Sequence, residues 1–205
     1  MKFIQTLLIL LSTTFFASCG DTTLTSPLTE IESLSLDDSN ISIRSTDSQK
    51  VLTFTVLYKD GTTATSSSGV TWKTSDEYVF VPYIGSIIAT NNGGDANLTI
   101  SDSSIFQDTS PVHVKKLISI EYSDINISDI GVAQTVYMSG TFEDNETNVT
   151  LESNIAYYSD ENSTITDVNE TQFTITIDNE TPSIQIQAIL FENTDNSQEF
   201  NTTFN

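Results

Sequence analysis

Two residue types in this chain carry chemistry by virtue of where they stand: a single cysteine and a set of asparagines. Cys19 is the only thiol in 205 residues. Before it, Met1-Lys2 open the chain and an apolar stretch without charges runs from Phe3 to Phe16. Two small residues, Ala17 and Ser18, come directly before the cysteine, and Gly20 follows. A basic start, an apolar run and a small-residue cleavage site make an export leader. The run, about 14 residues, is short for a hydrocarbon core of ~30 Å, so residues 1–18 are expected to be removed rather than to span a membrane. A lone thiol at the cleavage point cannot pair within the chain, which leaves it for modification.

Phe16-Ala17-Ser18-Cys19 resembles the lipobox of bacterial lipoproteins, with Phe16 where the family prefers Leu. The resemblance implies a thioether between the Cys19 sulfur and diacylglycerol, cleavage before Cys19, and acylation of the freed amino group with a palmitate-type chain. Two or three acyl chains, at ~0.8 kcal/mol per buried methylene, hold a protein on a bilayer far more firmly than one myristoyl group. Gly20 at the position after the cysteine implies export to the outer membrane in lipoproteins of this type, although Asp21 stands one place later. The expected location is therefore the outer membrane, lipid-anchored, with the surface and periplasmic faces both open.

Of 15 asparagines, nine are followed by x-Ser/Thr with x not Pro, the glycosylation acceptor pattern. Eight of the nine, all but Asn179, also have Asp or Glu two residues earlier: Asn40, Asn97, Asn126, Asn145, Asn148, Asn162, Asn169 and Asn201. This form resembles the extended acceptor sequon of the bacterial oligosaccharyltransferase and implies N-linked glycans. Positions i−2, i and i+2 share one strand face, so polar residues co-occur at this spacing; a polar face a quarter acidic and half Ser/Thr would give about two such sites among the asparagines. The chain has eight.

The remaining reactive residues do not assemble into a catalytic set. His113 is the only histidine. It lies between Val112 and Val114, on an edge or solvent face of a strand, without a second His to share a metal. Serines are plentiful, but a Ser nucleophile needs a positioned base, and no glycine-framed elbow is present. Acidic pairs occur at Asp37-Asp38, at Glu143-Asp144 with Glu146, and at Asp160-Glu161. They fall in turns, where they read first as solvated groups and second as weak calcium ligands; none has the spacing of a dedicated calcium loop. A glycosidase reading of such carboxylate pairs lacks an aromatic cleft pattern. No catalytic residue, no metal site and no cofactor is expected.

Charge narrows the partners. The net charge is −21. Residues 28–116 hold 11 acidic and 6 basic residues, a net of −5, whereas residues 117–205 hold 16 acidic residues and no Lys or Arg, a net of −16. Nucleic acid is excluded, because phosphate contacts need Lys or Arg. Direct binding to anionic head groups is disfavoured for the same reason, which leaves the lipid anchor as the membrane contact.

The elements that would carry these residues are strands. Ser and Thr make up 58 of 205 residues, with few Gly and Pro, and two-residue alternation replaces helical periodicity. Residues 20–27, GDTTLTSP, form the last part of a polar tether spanning 19–27. Ile31, Leu34 and Leu36 open a strand. Val51 to Tyr58 alternates Leu52, Phe54, Val56 and Tyr58 against polar neighbours, and Asp60-Gly61 marks a hairpin turn. Val70-Thr71-Trp72, Val79 to Ile88, Asn97 to Ile100 and Val112-His113-Val114 supply further strands. The second half repeats the first: Ile118 to Ser123 with Asn126-Ile127-Ser128 matches Ile31 to Leu36 with Asn40-Ile41-Ser42. Phe142 to Thr147 matches Tyr58 to Thr63 at an offset of 84, and Ile155-Ala156-Tyr157 matches Val70-Thr71-Trp72 at 85. The expected fold class is all-β, as two tandem immunoglobulin-like sandwiches, residues 28–116 and a divergent 117–205. They join at Lys115-Lys116-Leu117-Ile118 without a flexible linker, as in a stiff rod.

Val51 to Tyr58, the Tyr58-Lys59-Asp60-Gly61-Thr62 turn, Val70 to Asp76 and the Ile84-Gly85-Ser86-Ile87-Ile88-Ala89 hairpin together resemble the group 2 bacterial immunoglobulin-like domain. The resemblance covers Glu30 to Lys116 and reaches the second half through the repeat. It implies surface and periplasmic stalk modules without an active site of their own. The expected function is a non-catalytic envelope lipoprotein, an adhesion or spacer module binding a surface protein or glycan. The alternative is a periplasmic or outer-membrane accessory subunit of a larger envelope complex.

Overall fold

The computed structural model describes residues 30–102, 105–151, 155–190 and 197–205, and all regular structure among them is strand. The first half contains β1 (Ile31–Leu36), β2 (Ile41–Arg44), β3 (Lys50–Val51), β4 (Phe54–Tyr58), β5 (Thr63–Ser66), β6 (Thr71–Thr74), β7 (Phe80–Tyr83), β8 (Ser86–Ala89), β9 (Gly94–Ser101) and β10 (Gln107–Lys115). The second contains β11 (Leu117–Tyr122), β12 (Ala133–Phe142), β13 (Ile155–Ser159), β14 (Ser163–Thr166), β15 (Gln172–Ile177), β16 (Ile184–Leu190) and β17 (Gln198–Phe204). A single residue, Lys116, separates β10 from β11.

Each half is a sandwich. The second is the simpler, with sheets ordered β11-β12-β15-β14 and β13-β16-β17, the arrangement of a seven-stranded immunoglobulin domain. In the first half, β1-β4-β5 faces β2-β10-β9-β6, and a small third sheet β3-β8-β7 sits beside them. The alternation read from Val51 to Tyr58 holds for the core: Leu52, Phe54 and Val56 are buried. The segment is not one strand, however. Val51 pairs with Ser86 of β8, and β4 begins only at Phe54, where it pairs with β1 and β5.

The turn chemistry follows from backbone conformation. Gly61 has φ +81° and its counterpart Asn145 has φ +60°, a region that glycine adopts freely and asparagine tolerates. In both turns the same two hydrogen bonds close the loop: Tyr58 N–H donates to Thr62 and Gly61 N–H to Tyr58, while Phe142 N–H donates to Glu146 and Asn145 N–H to Phe142. Gly85, in the β7–β8 hairpin, has φ +72°, and a Cβ there would lie 2.7 Å from the Ser67 Cβ. Conformation and close approach both require glycine at that turn.

The two cores are separate. In the first, Trp72 is buried edge-on against Phe54, with ring centroids 6.1 Å apart. At the repeat offsets Phe54 becomes Met138 and Trp72 becomes Tyr157. The second core is rebuilt around Phe173, with Tyr157 at 5.7 Å and Tyr122 edge-on at 6.0 Å. Val56 likewise becomes Gly140, where a Cβ would fall 2.5 Å from Leu151 and 2.9 Å from Leu117. Two leucines thus occupy the space that a larger side chain on β12 would need.

One strand of the first half has no counterpart among the described residues of the second. Asn40-Ile41-Ser42 leads into β2, which crosses to the opposite sheet and pairs in parallel with β10, Ile41 opposite Val112 and Arg44 opposite Lys115. Asn126-Ile127-Ser128 has the same pattern but lies in a turn. The side chain of Gln134 holds it there: its Oε1 accepts from Asn126 N–H and its Nε2 donates to the Asn126 carbonyl, both at 2.9 Å. Asn126 Oδ1 accepts from Ser128 N–H at 3.1 Å. Ile130 then bridges to Ile177 of β15, so the segment stays with the sheet it started on.

Candidate interaction and modification sites

A dense cluster of charged side chains lies where the two sandwiches meet. The β12–β13 turn, Glu143-Asp144-Asn145-Glu146, belongs to the half with no Lys or Arg, and cations of the first half approach it. Arg44, at the end of β2, pairs through Nη2 with Glu146 Oε1. Lys115, at the end of β10, places its Nζ 2.7 Å from Asp144 Oδ2 and 2.9 Å from Glu146 Oε2. His113 Nδ1 lies 2.8 Å from Asp95 Oδ1 and its Nε2 lies 3.4 Å from Glu143 Oε1. The Arg44 guanidinium also stands 5.8 Å from the centre of the Phe142 ring, within cation–π range.

Backbone bonds complete this joint. Leu117 N–H donates to Ser45 Oγ at 3.0 Å in a buried position, and Glu143 N–H donates to the Lys116 carbonyl at 3.1 Å. Gly93, with φ +67°, passes so near that a Cβ would meet the Lys116 Cβ at 2.6 Å. The ion pairs reshape the titration of their members. Hydrogen bonds from Arg44 and then Lys115 hold the Glu146 carboxyl below the ordinary range, and Lys115 does the same for Asp144. Asp144 and Glu146 in turn hold the Lys115 ammonium above its ordinary value.

Members of each acidic group considered as calcium ligands are engaged within the protein. Asp37 accepts hydroxyl hydrogen bonds from Thr53 at 2.5 Å and Thr55 at 2.7 Å, and Asp38 lies 3.5 Å from Lys50. Asp160 accepts backbone N–H groups of Asn162 and Gln185 at 3.0 and 2.9 Å. Among the described residues no group of three or more His, Cys, Asp or Glu is placed to hold a metal ion. His113 sits on the outer face of β10, which is an interior strand of its sheet, and faces carboxylates rather than a nucleophile.

Cys19, the leader and the tether lie outside the described residues. All eight candidate asparagines lie within them. Asn97 and Asn201 are on strands, β9 and β17; the other six are in turns and loops. Shared strand faces thus account for the spacing at two sites only. Seven of the eight are exposed, and Asn162 is half-buried. Asn145 and Asn148 both have positive φ. The Asn169 carboxamide is held by three hydrogen bonds: its Oδ1 accepts from Thr171 N–H at 2.9 Å, Thr171 Oγ1–H at 3.1 Å and Gln172 N–H at 3.1 Å. Its own sequon hydroxyl is therefore already turned onto it.

Beside Asn169 the second sandwich opens into a cleft of about 680 Å³ lined by Met138, Leu151, Ile155, Tyr157, Val168, Asn169, Glu170 and Thr171. Met138 and Tyr157 stand where the first sandwich has Phe54 and Trp72, so two smaller side chains line this space. The Tyr157 and Tyr122 hydroxyls are buried without a hydrogen-bond partner among the described residues, and burial pushes both phenols well above the ordinary tyrosine range.

Lys115, His113, Glu143, Asp144 and Glu146 stand out in the sequence, but their meeting and the part played by Arg44 do not. Lys115-Lys116 at the domain boundary and Glu143-Asp144 with Glu146 in the repeat's acidic turn are both visible in one dimension. The signal available was the complete segregation of cations into the first half.

No family model and no curated protein matches the chain. Among solved structures, domains 4–9 of the surface layer protein SbsC match at 11% identity and a TM-score of 0.38, over 84% of this chain and 31% of that one. SbsC domains 4 and 5 match at 16% identity and a TM-score of 0.33, over 84% of this chain and 97% of that one. Extracellular cadherin domains 1–4 of protocadherin Gamma B7 match at 10% identity and 0.33, over 84% and 48%. The chain spans less than a third of the first of these. Likeness at this level carries no information on partners or activity.

Proposed function

We propose that the chain is a non-catalytic envelope lipoprotein, an adhesion or spacer module held on the outer membrane through Cys19 and presenting two immunoglobulin-like sandwiches to a surface protein or glycan. The observation that carries the reading is the leader ending in Phe16-Ala17-Ser18-Cys19, followed by a short polar tether and then by two sandwiches coupled through a single-residue connection and ion pairs. A spacer needs a defined angle between its units, and the Arg44, Lys115 and Glu146 contacts supply one. Cysteine 19 is the only acyl acceptor of its kind, so anchoring rests on it.

The test is fractionation of cells expressing Cys19→Ala. Loss of the protein from the high-salt-washed membrane pellet supports the anchor; retention there rejects it. Protease added to intact cells separates the surface module, which is cut, from a periplasmic accessory subunit, which is protected.

A further inference from the structure

We propose that the outer edge of β17 is a docking site for an extended segment of another protein, one that alternates apolar and cationic residues and joins the sheet as a parallel strand. This names the partner chemistry of the adhesion reading and rests on it; the anchor is tested separately by Cys19→Ala, so the two can fail independently.

The two sandwiches provide the comparison. Among the described residues both leave the far edge of this sheet open, at β6 and at β13. They differ at the other edge. In the first sandwich β2 covers β10; in the second, among the described residues, nothing pairs with the outer edge of β17. The core registers the difference. The alternate residues Ser110, Val112 and Val114 on β10 are buried, whereas Phe200, Thr202 and Phe204 on β17 stay half-buried. The chain's own segment for this place is diverted, with both backbone groups of Asn126 taken by Gln134.

An open edge is a template for another strand, and proteins usually blunt such edges with Lys or Pro. β17, Gln-Glu-Phe-Asn-Thr-Thr-Phe, has neither. Strand addition draws affinity from main-chain hydrogen bonds and specificity from alternate side chains. The strand that does this in the first half, Ile41-Ser42-Ile43-Arg44, buries its two isoleucines and turns Arg44 outward to a carboxylate. An occupant of the β17 edge would complete the half-buried apolar row and meet a domain of net charge −16 without a single Lys or Arg. That charge selects a basic segment and opposes a second copy of the same domain.

The probe is a peptide of residues 39–46, Ser-Asn-Ile-Ser-Ile-Arg-Ser-Thr, added to the full chain in detergent and followed by amide hydrogen exchange. The proposal expects amides of residues 198–204 to slow by about tenfold or more at saturating peptide. It expects weakening with added salt, and about tenfold weaker binding for the peptide carrying Arg44→Glu. The peptide carrying Ile41→Asp and Ile43→Asp should be inert. Thr202→Pro and Thr203→Pro each remove one N–H, and successive N–H groups of a strand point to opposite edges. Whichever variant keeps the parent melting temperature should lose the protection. If both unfold, the peptide variants decide. Absence of protection at millimolar peptide overturns the proposal. So does equal protection by the Asp-substituted peptide, or protection that rises with protein concentration alone as the mass doubles.

Discussion

Arg44 and Glu146, 102 positions apart in sequence, pair side chain to side chain across the junction of the two sandwiches. The half of the protein with no cation of its own thus obtains its counter-charge from the half before it. Arg44 and Glu146 side chains keep about a third of their surface, 36% and 29%, so water screens the pair and its strength sits within the range for exposed ion pairs.

The joint is therefore expected to weaken modestly on truncation and strongly on reversal. Arg44→Ala should lower the stability of the junction by about 1 kcal/mol, the upper end for exposed pairs. Glu146→Lys, which sets a third cation beside Arg44 and Lys115, should cost more. The measurement is hydrogen exchange at Leu117 and Glu143 N–H, both of which donate across the junction. Unchanged exchange in Glu146→Lys would show that the ion pairs do not hold the junction.

Acid should loosen the same place. Asp144 and Glu146 titrate below the ordinary carboxylate range when folded, so their contribution is complete above that range and is lost as pH falls through the folded values. Lys115 titrates above its ordinary value; its contribution is complete below that value and is lost only in strong alkali. Junction protection, exchange corrected for the intrinsic pH dependence of amide exchange, should be flat across neutral pH and should fall below about pH 4. A change centred between pH 6 and 8 would show that these two carboxylates do not govern the junction.

Salt should act on the second sandwich with two opposite signs. Its 16 carboxylates repel one another, and screening shortens from ~30 Å at 0.01 M to ~10 Å at 0.1 M salt. Exchange of the buried β15 amides should slow over that interval while the junction amides speed up. A β15 core indifferent to NaCl would remove self-repulsion from the account. A further gain with CaCl2 but not MgCl2 would identify one of the acidic turns as a cation site.

Trp72→Ala should destabilise the first sandwich by roughly 3–5 kcal/mol, as for other large buried aromatics. The ring is 9% exposed and packs on Phe54, which is fully buried. Equilibrium unfolding followed by near-UV dichroism of Tyr58 and its neighbours measures it; a loss under about 1 kcal/mol would contradict the packing.

Glycan occupancy should follow accessibility. Mass spectrometry after co-expression with a bacterial oligosaccharyltransferase should find Asn169, exposed in a turn with its sequon hydroxyl in place, modified, and half-buried Asn162 bare. Modification of Asn162 ahead of Asn169 would mean that transfer precedes folding.

Strand positions, the hairpin glycines and the Trp72 core were legible because each depends on residues close together in sequence: alternation, a turn pair, a repeated offset. The junction was not, because pairing Arg44 and Lys115 with Glu146 requires knowing that β2 and β10 end side by side. The missing strand at Asn126 was hidden by the repeat itself. Asn-Ile-Ser occurs in both halves, and what diverts the second copy is Gln134, eight residues away and outside the matched pattern.

The parallel pairing of β2 with β10 has a mechanical consequence. The two strands lie near opposite ends of the first sandwich's chain, so a pull on the two ends of the chain drags them in opposite directions along their length. The hydrogen bonds between them are loaded in shear, all at once, rather than unzipped one by one. Among the described residues the second sandwich has no such pair at β17. Pulled by the two ends of the chain, it is the unit expected to yield first, leaving the first sandwich folded.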